Sequence, residues 1–208
     1  IDFNQLNSNS STPFNFRNKE TLYQSKIMQG NIFALLFLAR GAIIEPELIK
    51  LYQPGDLRTA IFFTIKPNGQ ATLKGSLFGE IYPFTGISTA EVFLTLAECN
   101  ARMGHTEVAL QYVNNLLKNR WKTNQFIPYA DPSAEKLLQF ILQERKKEMV
   151  LRGSRWTDLR RLNKAGANIE LKRVYQGNLL VLPPNDPKYV FPIPEDVLQF
   201  NNYPQNQR

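Results

Sequence analysis

The chain has 208 residues, 43% of them hydrophobic and 12% aromatic, with one cysteine, one histidine and a formal net charge of +7. That composition can bury a core and excludes a disordered segment, while the lone Cys99 and lone His105 exclude an internal disulfide, a Cys-rich zinc site and a His-paired metal site. The basic balance invites a nucleic-acid reading, but the densest run, Glu144-Arg145-Lys146-Lys147-Glu148, has acids at both ends, and Arg152 to Arg161 encloses Asp158.

In chain order, residues 1–18 are rich in Asn and Ser and read as loop. A helix is expected from near Lys19 through the apolar stretch to about Arg40; that stretch is interrupted by Arg40 and is too short to span a bilayer. Glu45-Pro46-Glu47 opens a short helix, with Pro in the first turn and acids near the N-terminus, and Pro54-Gly55-Asp56 ends it in a turn. Thr59 to Ile65 is β-branched and aromatic, Pro67-Asn68-Gly69 is a turn, and Ala71 to Leu77 returns, so a small β-hairpin is expected.

Residues 88–120 form the clearest helical unit. Ser88 or Thr89 caps the first helix, with Glu91 close behind, and Phe93, Leu96, Ala97 and Ala101 are expected on its inner face. Gly104 ends it, and the second helix presents Ala109, Tyr112, Val113, Leu116 and Leu117 at helical spacing. Small Ala97 and Ala109, where two backbones approach, give the pair the spacing of a tetratricopeptide repeat, with a generic helical hairpin as the alternative. Repeats of that kind stack on neighbours, so the single pair and the missing leader before Ile1 lead us to expect a longer natural protein.

Asp131-Pro132-Ser133 starts a long helix with the stripe Leu137, Leu138, Ile141, Leu142, Arg145 and Met149, and Gly153 is expected to end it. Glu144, Glu148 and Arg152 are spaced to share one face of that helix. A shorter helix runs from Arg155 to about Leu162, with Trp156 expected as a fully buried anchor and Arg155 and Asp158 tying helix ends together. From Leu179 onward, five prolines enforce an extended path, read as a closing strap, before one or two helical turns over Glu195 to Phe200. The fold class is therefore mostly α, with long irregular loops, a small β-hairpin and a Pro-rich C-terminal strap.

Four segments together resemble the SusD/RagB family: Asp56-Leu57-Arg58 after Tyr52; Thr89 to Cys99 with Glu91 and Glu98; Glu144-Arg145-Lys146-Lys147-Glu148-Met149 followed by Arg152-Gly153-Ser154-Arg155-Trp156-Thr157-Asp158-Leu159-Arg160-Arg161; and Phe191-Pro192-Ile193-Pro194-Glu195-Asp196-Val197 with Gln205-Asn206. The resemblance covers about residues 52–208. Two positions depart from it: the family often has Arg just before the second segment, where this chain has Gly86-Ile87-Ser88-Thr89, and Arg152 stands where Glu is more common, which suggests rewired ion pairs.

The resemblance implies the C-terminal portion of a SusD/RagB-like domain spanning 1–208, with a loop-rich ligand-side region over 1–87 and the signature helices and strap over 88–208. It implies a lipid-anchored outer-membrane protein that captures nutrients, usually glycans, for a SusC-like TonB-dependent transporter, with no cofactor and no catalysis. Two acids one turn apart among Arg and Lys hold each other ionised and do not flank a substrate bond as a glycosidase pair does. Tyr82, Phe84, Trp121 and Tyr129 lie in loops and are the candidate sugar-stacking residues, each with packing as its alternative role. A cytoplasmic tetratricopeptide-type peptide adaptor would explain the helical pair but not the Glu144–Arg161 segment; nucleic-acid binding would explain only the charge.

Overall fold

The computed structural model describes residues 1–25, 42–74, 76–80, 83–131, 133–200 and 202–207. The chain divides into two units, Ile1–Gly153 and Ser154–Arg208.

The first unit opens as the expected loop, with a 3-10 turn at Phe3–Gln5 capped by Asp2. The helix expected from Lys19 does not begin there: Thr21–Tyr23 is strand β1, and residues 26–41 lie outside the described residues. Helix α1 spans Pro46–Ile49, with Pro at its start. Helix α2 spans Arg58–Phe62, a correction to the strand expected from Thr59. The local reason is Asp56, whose carboxylate accepts from the Arg58 backbone N–H at 3.1 Å and opens a helical turn that β-branched propensity alone would not. Strand pairing starts only at β2, Phe63–Ile65, which meets β3, Ala71–Leu73, in antiparallel register Phe63↔Leu73 and Ile65↔Ala71. The hairpin expected around Pro67-Asn68-Gly69 is present but shorter than expected, Leu73 being its last paired residue.

Strand β4, Ile87–Ser88, pairs with β1 and leads into helix α3, Thr89–Arg102. The Ser88 hydroxyl accepts from the Glu91 N–H at 3.3 Å, the N-cap expected from sequence. Gly104, at φ +80°, turns the chain into α4, Thr106–Leu117. Helix α5, Ala134–Glu148, is capped by Ser133. It ends at Glu148, five residues before Gly153, because the chain after Met149 reverses through Leu151 and Gly153, both at positive φ.

Ala97, Ala101, Ala109, Val113, Leu117, Leu137 and Ile141 form one buried cluster among α3, α4 and α5. Alanines at the crossing let the backbones approach closely. The buried face of α3 is Ala90, Leu94, Ala97, Glu98 and Ala101. Leu96, expected inside, is exposed, and Phe93 is half-buried against Tyr112. Ala97 and Ala101 lie on both faces, so the stripe is rotated by only about a fifth of a turn from the expected one, toward Ala90, Leu94 and Glu98. A second core of phenylalanines, Phe3, Phe14, Phe62, Phe63, Phe78 and Phe84, gathers the loop-rich region around α1 and α2.

The second unit has helix α6, Arg155–Lys164, followed by a hairpin absent from the sequence reading: β5, Leu171–Tyr175, and β6, Asn178–Leu182. Gln176 and Gly177 both have positive φ, the conformation a two-residue hairpin turn needs. The extended path expected from Leu179 thus begins as a paired strand. It continues through a 3-10 turn at Pro187–Tyr189 to helix α7, Glu195–Phe200.

Candidate functional site

The signature acids converge on one buried ionic cluster in the first unit. Arg58, fully buried, donates to Asp56 at 2.6 and 2.9 Å, to Glu144 at 2.7 Å and to Glu148 at 3.2 Å. The last two acids are presented by successive turns of α5, so one guanidinium spans both. Lys147, on the same helix, meets Glu144 at 2.7 Å and Asp56 at 3.1 Å. Arg120, 1% exposed, donates to the other Glu148 oxygen at 2.9 Å, to Glu20, and to the Ile1 carbonyl at 2.9 Å. Rings cover the cations: Arg120 lies 4.1 Å over Phe3, and Arg58 and Lys147 face Tyr52, whose hydroxyl donates to the Lys147 carbonyl at 2.8 Å.

Burial alone would raise the carboxylate pKa values and lower the guanidinium ones. For Asp56 burial is outweighed by the hydrogen bonds and charge of Arg58, and its pKa is lowered. For Glu148 it is outweighed by Arg120 and Arg58, with the same result. Arg58 in turn is held well above its ordinary value, Glu144 and Asp56 overcoming its desolvation. Burial pushes the Tyr52 hydroxyl up strongly. These groups are locked in one charge state near neutrality, the opposite of acids tuned to exchange protons.

A second group surrounds Arg152. Its Nη1 donates to Ser88 Oγ at 2.9 Å, its Nη2 to the Gly86 carbonyl at 2.8 Å and to Glu91 at 3.4 Å, and its guanidinium lies 4.5 Å over Phe84. Arg145 also approaches Glu91, at 3.7 Å. Arg152 lies beyond the end of α5, so it does not share a helix face with Glu148 as the spacing implied. The two departures from the family pattern meet here: Arg152 donates to Ser88 and Gly86, within the segment Gly86–Thr89. Glu98 pairs with Arg102 at 2.9 Å on α3.

In the second unit Asp158 pairs with Arg161 at 2.9 Å, Leu159 is buried and Arg160 exposed. Arg155 is the first residue of α6 and is half-buried. Trp156 is half-buried, not fully buried as expected: it donates Nε1–H to the Tyr189 carbonyl at 3.1 Å and stacks on Phe191, 69% exposed, with centroids 5.7 Å apart. Pro192 and Pro194 are exposed. The segment between them is held by Gln205, whose side chain accepts from the Ile193 N–H at 2.8 Å and donates to the Ile193 carbonyl at 2.9 Å. Asn206 donates to the Phe191 carbonyl at 2.8 Å. The two halves of the fourth signature segment are therefore one hydrogen-bonded unit.

The four aromatic candidates separate. Tyr82 lies outside the described residues. Phe84, 1% exposed, belongs to the phenylalanine core beneath Arg152 and offers a ligand no face. Trp121 and Tyr129 are half-buried in the connection between α4 and α5. Trp121 packs on Gly55, whose φ of +93° and missing Cβ admit the ring. Tyr129 stacks flat on Phe140 at 4.0 Å and 8°, and its backbone is gripped from both sides by the Asn114 amide at 2.9 Å. Sequence reasoning missed Arg120 and Glu20 as members of this cluster, since no spacing rule links Arg120 to Glu148 across 28 positions or to Glu20 across 100, and it passed over Lys147 although that residue lies only three positions from Glu144.

Among the described residues, no group of three or more His, Cys, Asp or Glu side chains is placed to hold a metal, and no helix is long and apolar enough to cross a membrane.

Residues 79–206 match the model of a family described as the SusD family. The fold is similar to a SusD-like carbohydrate binding protein from Bacteroides vulgatus ATCC 8482, at 17% identity and TM-score 0.63 over 94% of this chain and 50% of that one. It is also similar to a candidate sugar binding protein of the same organism, at 20% identity and TM-score 0.65 over 83% and 41%. A SusD-like protein from Bacteroides fragilis NCTC 9343 matches at 21% identity and TM-score 0.47 over 66% and 30%. This chain thus spans half or less of the length of these solved structures. No curated protein matches it at a significant level.

Proposed function

The chain belongs to the SusD family, and from that membership we propose that it is the C-terminal portion of a protein that binds carbohydrate at the bacterial cell surface without altering it. The observation that carries the non-catalytic reading is the joint hold of Arg58 on Glu144 and Glu148. A glycosidase needs two carboxylates flanking a substrate bond with their pKa values apart. Here the two acids of the signature are buried, and both are taken up by one structural cation.

In this reading α3 and α4 are one tetratricopeptide-like pair of a mostly α scaffold, and the Phe191–Pro194 segment is an extended strap. The protein is lipid-anchored on the outer membrane and hands its ligand to a SusC-like TonB-dependent transporter. Trp121 and Tyr129 are the residues of this chain that contribute sugar-stacking faces, because both are ordered by the core and sit in a connection between helices, not within one.

The test uses the full-length protein, a panel of glycans, calorimetry and chromatography of the products. Affinities of about micromolar to millimolar, −8 to −4 kcal/mol, are expected, in keeping with release to a transporter. Tyr129→Ala is expected to weaken binding about tenfold or more at a temperature where the variant stays folded, alongside a modest loss of stability from its stack on Phe140. Shortened oligosaccharides, abolished by Glu144→Gln or Glu148→Gln, would overturn the non-enzymatic reading. DNA binding that falls steeply with salt would overturn carbohydrate as the ligand class.

A further inference from the structure

Arg152 is 7% exposed at its side chain, and four of its five N–H groups lie on the two Nη atoms that serve Ser88, Gly86 and Glu91. The fifth, on Nε, is buried and has no partner among the described residues. A buried guanidinium N–H calls for an acceptor, because leaving it unpaired costs the hydration it gives up on folding. Arg152 lines a cavity of about 30 Å³ whose other walls include Phe62, Leu77, Phe84, Val150 and the carboxylate-bearing Glu148.

We propose that this cavity holds ordered water, one molecule of which accepts from Arg152 Nε–H and donates to the Glu148 carboxylate. The volume bounds the size of the occupant: at roughly 10–15 Å³ per water the cavity holds two or three waters, which is too little for a sugar ring. The walls decide its chemistry. An anion would suit Arg152 but meet Glu148, a cation would meet Arg152, and an apolar group would leave the Nε–H unpaired. Water both accepts and donates, and so satisfies each wall. Glu148 already takes Arg120 on one oxygen and Arg58 on the other, and carboxylate oxygens have lone pairs to spare for a further donor. The water joins the Arg152 group, which fixes β4 and the start of α3, to the Arg58–Arg120 cluster at the end of α5, making one polar network of two.

Crystals of the protein diffracting to about 1.6 Å or better test this directly. A water peak within about 3.2 Å of both Arg152 Nε and a Glu148 oxygen is expected, as is loss of that peak in Arg152→Lys, which keeps the charge but has no Nε–H. In solution, a cross-relaxation peak between water and the Arg152 Nε proton is expected in the native protein. A cavity without density, an Nε–H bonded to a protein carbonyl, a chloride in place of water, or a water that reaches Nε but not Glu148 would each overturn the proposal.

Discussion

Arg152 donates to the hydroxyl of Ser88 at 2.9 Å, and that hydroxyl is itself the N-cap of α3. The same guanidinium reaches the Gly86 carbonyl and Glu91, so one side chain ties the chain after α5 to the start of α3. Arg152→Glu alone should lower stability by about 2–4 kcal/mol, since it sets an acid beside Glu91 and strips Ser88 and Gly86 of their donor. Adding Ser88→Arg sets a guanidinium beside the new acid and Glu91 from the α3 side and should recover part of that loss, despite the missing cap. Urea denaturation of the two single variants and the double variant forms the thermodynamic cycle; additive losses would refute the exchange.

Removing a cation from the buried cluster should cost more than any surface pair. Arg58→Met leaves Asp56 and Glu144 to Lys147 and Glu148 to Arg120, three buried acids on two cations, and a loss of about 3–5 kcal/mol is expected. Lys50→Ala breaks a pair exposed on both sides and should stay within about 0.5 kcal/mol. Chemical denaturation of both variants measures the contrast.

The same cluster sets the acid limit of the fold. Asp56 and Glu148 have pKa values lowered in the folded protein, so the folded state binds fewer protons than the unfolded one in the acid range. Their contribution is fully present above the ordinary carboxylate pKa and is lost as pH falls through the folded values. Stability should therefore be level from neutrality to about pH 5 and decline from about pH 4 downward, as read by thermal melts across that range.

Much of the helical framework was legible because it rests on local rules. Ser88, Gly104 and Ser133 mark helix ends by capping and by positive φ, and the structure puts the ends there. What was not legible depends on distance along the chain. Arg58 meets Glu144 across 86 positions and Arg120 meets Glu20 across 100, and neither partner carries a periodic signal. The β5–β6 hairpin escaped for a different reason: its strands alternate poorly, with Leu179, Leu180 and Val181 all exposed, and its turn is Gln176-Gly177 where Asn-Gly would have been recognised. Of the candidate ligand residues, loop position alone could not distinguish Phe84, enclosed in a core, from Tyr129 on its half-buried stack.

Trp156 is held at three points, by Tyr189, by Phe191 and by its indole N–H, yet remains half-buried. Trp156→Ala should cost about 2 kcal/mol, less than the 3–5 kcal/mol of a fully enclosed ring. Trp156→Phe keeps the stack and loses only the hydrogen bond, so about 1 kcal/mol is expected. Equal losses in the two variants, measured by denaturation, would show that the hydrogen bond outweighs the rings.

The clasp of Gln205 on Ile193 turns the last stretch of chain into a loop fastened to its own stem. A loop fastened in this way transmits damage backward. Cutting the chain before Gln205 would release both backbone groups of Ile193 together with the Asn206 bond to Phe191. Phe191 is one of the two rings packed against Trp156. Trimming four residues from the tail would therefore act some fifty positions upstream, at the tryptophan, much as a substitution there would.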